Sequence, residues 1–132
     1  PYYSYLQKLV KTYELSDYVQ LRTNVDINDL LDLFAKSKVL FHPTIGEPFG
    51  ISVAEAMSAG LVPVVPTFGG NTEFVPEKLR YNNYIEAAKI ITRFMNATTQ
   101  QRFALSNSVK KFSKKNFKDN LKSLLNKQMT QS

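Results

Sequence analysis

The sequence predicts an α/β chain: a Rossmann-like parallel sheet with helices on both faces, in one domain. Two observations carry that prediction. Short β-branched runs alternate with stretches of helical period, joined by short connections. The length and composition also suit a single core, with 132 residues, 43% apolar and 21% charged.

Each element has its own reason. Tyr5, Leu6, Leu9, Val10 and Tyr13 recur at helical spacing, which predicts a first helix over about 3–14. Residues 18–23 (YVQLRT) alternate and read as a strand. Asn28 is placed to cap a second helix through Leu30, Leu31, Leu33 and Phe34, with acids in its first turn. Val39, Leu40 and Phe41 form a short buried strand that His42-Pro43 ends. A loop rich in Gly and Pro runs from 44 to 50. Residues 51–59 are good helix formers, and Gly60 stands where a terminating glycine belongs. Residues 61–65 (LVPVV) are a strand whose Pro63 suggests an edge or an irregular start. A second glycine loop covers 67–71, residues 76–83 form a connection, and helices are expected over 85–94 and 100–109. In sheets of this kind ligands bind at the carboxyl ends of the strands, where both glycine loops lie.

Composition excludes several chemistries. There is no Cys and a single His, so thiolate metal sites, disulfides and His-rich metal sites are ruled out. The absence of Cys fits a reducing, cytoplasmic compartment. No apolar run approaches the roughly 18 residues of a membrane span. The net charge of +6 is uneven. Over 107–132, Lys110, Lys111, Lys114, Lys115, Lys118, Lys122 and Lys127 face Asp119 alone, whereas residues 1–106 hold ten basic and ten acidic side chains. A basic excess from one terminal segment argues against nucleic-acid binding by the domain as a whole. Val109, Phe112, Phe117, Leu121, Leu124 and Leu125 mark this end as amphipathic and helical. It reads either as a solvated face or as a surface for anionic lipid on the cytoplasmic side of a membrane, or for another lobe.

The chemistry concentrates in Glu47-Pro48-Phe49-Gly50-Ile51-Ser52-Val53-Ala54-Glu55. Gly50 closes a loop and opens a helix, so the N–H groups of Ile51, Ser52 and Val53 point out of the positive helix start. That is a place for a phosphate, and glycine lets it come close. Glu47 and Glu55 cannot stack on one helix face. Each can instead accept hydrogen bonds from hydroxyls on either side of an anionic middle, the layout of a sugar nucleotide. Gly69 and Gly70 add a second turn where backbone amides could approach a polar ligand. His42 reads as structural, and Phe49 as either a loop anchor or a ligand contact. Lys78 and Arg80 read as an exposed turn.

The stretch FHPTIGEPFGISVAEAMSAGLVPVV, followed by FGGNTEFV, resembles the donor-binding lobe of family 4 glycosyltransferases, which have the two-lobed GT-B fold. Their Glu, seven residues, Glu signature is met by Glu47 and Glu55, their E-A-M-x-x-G by residues 55–60, and their Gly-Gly-x-x-Glu by Gly69, Gly70 and Glu73. The resemblance implies a C-terminal GT-B lobe that binds a nucleoside-diphosphate sugar. The parent would be a retaining hexosyltransferase that needs no metal and no cofactor beyond its substrate. Glu47 would be catalytic, beside the transferred sugar. Phe49, Gly50, Ile51 and Ser52 would present amides to sugar and diphosphate. Glu55 would take the ribose hydroxyls, Asn24 and Val25 would lie by the base at a strand end, and Gly69 and Gly70 would flank the ligand. The family's diphosphate-clamping Arg and Lys, and its acceptor lobe, would precede Pro1, so little turnover is expected of these residues alone. A related GT-B phosphorylase or epimerase-like enzyme, or a non-catalytic GT-B-like module, is the rival reading.

Overall fold

The computed structural model describes residues 1–129, except the side chains of 125 and 127–129. Leu125 and Lys127 of the expected amphipathic end, and residues 130–132 of the 107–132 segment, lie outside the described residues. The chain divides into two compact units, Pro1–Asp32 and Leu33–Ser132.

In the first unit, α1 spans Tyr2–Thr12, as its spacing predicts. Residues 18–23 do not form the expected strand; they run as turn and coil. Alternation alone makes no strand without a neighbour to complete the ladder. The helix α2, Ile27–Lys36, starts in this unit and runs past its boundary at Asp32. Asp26 caps it rather than Asn28: the Asp26 Oδ1 accepts the Asp29 N–H at 2.9 Å.

The second unit holds the parallel sheet, β1 (Val39–Phe41), β2 (Val62–Pro66) and β3 (Arg80–Tyr81), in that spatial order. α3, Ile51–Ser58, makes the crossover from β1 to β2. β2 is central and buried along its length, so Pro63 does not mark an edge. The ladder explains why it is tolerated. Val62 N–H donates to Lys38 O, and Val64 O accepts from His42 N–H. Pro63 therefore turns its donorless nitrogen away from β1, at a level that β3, paired only with Val65 and Pro66, does not reach.

The side chains of β2 divide between two clusters, with Val62 and Val65 in one and Val64 in the other. Val65 joins Val53 and Met57 of α3, with Phe74, Val75 and Leu79, in one cluster. Val64, the next residue back, joins Tyr81 and Ala87 of α4 (Tyr84–Phe94) in another. Helices thus cover both faces, the Rossmann-like α/β arrangement. α5, Thr99–Ser108, braces α3: Arg102 donates to Gly60 O at 2.6 Å and Ser106 to Ser58 O at 2.8 Å. A short turn and α6, Lys114–Met129, follow.

Candidate functional site

The loop after β1 and the loop after β2 are stitched together. Gly70 N–H donates to Glu47 O at 2.7 Å, and Glu47 and Gly69 form a parallel bridge. A methyl group on Gly70 would sit 1.9 Å from Pro48 O, so only glycine allows this approach. The paired glycines serve contact between the two loops, and the Gly70 amide is engaged inside the protein.

Gly50 opens α3 in the left-handed region, at φ 88°. Behind it lies the Asn71 side chain: a Cβ on Gly50 would meet Asn71 Oδ1 at 1.7 Å. Asn71 is fully buried, and neither its Oδ1 nor its Nδ2 has a partner. The first turn of α3 is tight, with the Val53 N–H donated to Gly50 O at 3.0 Å. That removes Val53 from the three expected free donors and leaves Ile51 and Ser52 at the helix start. Both residues are exposed, and no side chain caps the helix. An uncapped start carrying about half a positive charge can receive an anion.

Glu47 is half-buried just before this start, and Glu55 is exposed on α3. His42 Nε2, at the end of β1, stands 3.5 Å from Glu47 Oε2, ion-pair distance for a protonated imidazole but without hydrogen-bond alignment. Phe49 turns inward, its ring centroid 5.2 Å from that of Phe74 and 5.1 Å from that of Phe112. Its side chain is a loop anchor. Asn24 and Val25 belong to the first unit, in a bend and not at a strand end, with Asn24 at φ 52°.

Sequence reasoning missed two supports. Asn71 carries no motif; its position directly after the glycine pair was the available signal. Arg80 is not an exposed turn residue: its guanidinium donates to Val75 O at 2.8 Å and Thr72 O at 2.5 Å, holding the segment behind the glycine loop. Among the described residues, no three His, Asp or Glu side chains are grouped as metal ligands.

The model of the family described as "Glycosyl transferases group 1" matches residues 1–112. A "GDP-Man:Man(3)GlcNAc(2)-PP-Dol alpha-1,2-mannosyltransferase" of Dictyostelium discoideum is 32% identical over 68 residues, 52% of this chain and 14% of the relative. A "Phosphatidylinositol N-acetylglucosaminyltransferase gpi3 subunit" of Schizosaccharomyces pombe is 28% identical over 74 residues, 56% and 16% respectively. An "O-antigen chain mannosyltransferase" of Salmonella typhimurium is 38% identical over 66 residues, 48% and 19%. The chain spans less than a fifth of each of these relatives. No solved structure matches.

Proposed function

Because this chain belongs to the group 1 glycosyl transferases, we propose that it is the donor-binding lobe of a retaining hexosyltransferase that draws its sugar from a nucleoside diphosphate. The observation that carries this reading is the start of α3: left-handed Gly50, uncapped and exposed Ile51 and Ser52, and Glu47 at the entrance. The diphosphate would rest on those two amides. There the helix charge opposes the negative charge that builds as the bond to the anomeric carbon breaks. Charge stabilised by fixed amides makes a metal unnecessary to the proposed step. Glu47 would face the sugar and Glu55 the ribose hydroxyls. Hexose is the proposed cargo because the names of the relatives specify mannosyl and N-acetylglucosaminyl transfer. Two of those names also carry a lipid, dolichol or phosphatidylinositol, so a lipid-linked acceptor is part of the proposal.

Calorimetric titration with UDP, GDP and ADP, and with their sugar conjugates, tests it. One nucleotide should bind selectively. Glu55→Ala should weaken that binding about 10- to 100-fold, the worth of charge-assisted hydrogen bonds. Equal indifference to all three nucleotides, unchanged in the variant, would refute the donor-lobe reading.

A further inference from the structure

Among the described residues, Asn71 alone is a polar side chain that is fully buried and lacks a partner at both of its polar atoms. Burying an amide unpaired is unfavourable, so its place in the fold calls for a reason. That place is fixed from two sides. Asn71 O accepts the N–H groups of Phe74 and Val75, at 3.3 and 2.9 Å. The Arg80 guanidinium holds Thr72 O and Val75 O, and the Thr72 hydroxyl donates to Gly69 O at 2.7 Å. On the other side, the Gly70 N–H ties the segment to Glu47 O. This frame sets the carboxamide directly behind Gly50, with Oδ1 in the space that a Cβ there would need and Nδ2 3.5 Å from that point. A side chain at a helix start ordinarily accepts the N–H of the second or third helical residue. Asn71 stands at that end of α3 and takes neither, so the start stays uncapped with Ile51 and Ser52 exposed.

We propose that Asn71 is a positioning residue of the anion site at the start of α3. Its carboxamide wedges behind Gly50, holds that glycine in the left-handed conformation, and so keeps the Ile51 and Ser52 N–H groups directed at the ligand. That the ligand is a diphosphate rests on the donor-lobe reading above. Asparagine suits the task for two reasons. It is neutral, whereas an aspartate behind Gly50 would oppose an anion in front of it. Held from behind by its own backbone, it also leaves the helix-start amides to the ligand. A smaller side chain would leave a void, and glycine populates positive and negative φ about equally when nothing holds it.

Asn71→Ala and Asn71→Asp in the full chain test the proposal, each measured well below its melting temperature with folding checked by circular dichroism. In the free chain, Asn71→Ala should shift the backbone amide resonances of Ile51 and Ser52 and leave that of Ala87, on α4, in place. This readout needs no ligand. In titrations with inorganic pyrophosphate, and with the nucleotide that the wild type selects, Asn71→Ala should bind about tenfold more weakly. Asn71→Asp should bind at least about tenfold more weakly than wild type near pH 8 and come within about threefold of it near pH 5. A buried carboxyl beside an anion resists ionisation, so as pH falls it takes up a proton and becomes a neutral stand-in for the amide. Unmoved Ile51 and Ser52 resonances in Asn71→Ala would overturn the proposal. So would a loss of stability in both variants at unchanged affinity, which is what a merely structural asparagine gives. A wild-type chain that ignores nucleotides yet binds pyrophosphate, with both variants weakened as stated, refutes the donor-lobe reading and leaves the role of Asn71 standing; a chain that ignores pyrophosphate as well overturns both.

Discussion

Gly50 shows how much one residue without a side chain decides. Its φ of 88° is a region where an L side chain is strained, and the space a Cβ needs already holds Asn71. Gly50→Ala should cost about 1–2 kcal/mol from the left-handed conformation, with overpacking against Asn71 adding about 1–3 kcal/mol. Thermal denaturation should show a fall of several degrees, and nucleotide binding should weaken as the start of α3 shifts; an unchanged melting temperature would contradict this account. Asn71 is the more unusual residue, since a buried amide without partners costs about 1–3 kcal/mol. The motif spacing made Glu47, Gly50 and Glu55 legible in the sequence. Asn71 and the approach of His42 to Glu47 were not, because both arise where separate loops meet.

Helices and strands each carry a local signature and a tertiary one. Two helices carry side-chain caps: Asn83 accepts the Glu86 N–H at 3.0 Å, and Thr98 with Gln101 forms a reciprocal capping box. Thr98→Ala should cost about 1 kcal/mol, read from chemical denaturation. Glu86 also accepts from the Asn82 backbone and side-chain amides, and these bonds hold its carboxyl below the usual range. A carboxylate with a lowered folded pKa stabilises the fold above its unfolded pKa, and that contribution fades as pH falls through the folded value. Glu86→Gln should therefore lower the melting temperature at neutral pH, and the gap to wild type should close below about pH 4. A gap independent of pH would show that the charge of Glu86 is not what matters. Met57, fully buried between α3 and the sheet, anchors the element that carries the site. Met57→Ala should cost about 2–5 kcal/mol by equilibrium unfolding.

At the scale of the whole molecule, the packed sheet and the lysine-rich end behave as different materials. The sheet lies among buried Val, Leu and Phe side chains, whereas α6 rests chiefly on one short turn. Limited trypsin digestion should cut at Lys114–Lys122 well before it cuts at Arg80 and Arg102, whose guanidinium groups are held by backbone carbonyls of the packed sheet unit. Uniform resistance along the chain would count against an outward-facing α6.

What the sequence by itself determined was the order of helices and strands from β1 onward except β3, which it read as part of a connection, the glycine-led start of α3, and the concentration of charge after residue 107. Periodicity, capping chemistry and composition are local, and they survive without knowledge of any partner. Only the tertiary structure decided that residues 18–23 form no strand, that Pro63 lies in the central strand, and that Gly70 joins two loops. It also turned Arg80 into an internal brace. Each of these depends on which backbone groups find partners across long stretches of chain, and hydrogen-bond pairing between distant segments leaves no periodic trace in either one.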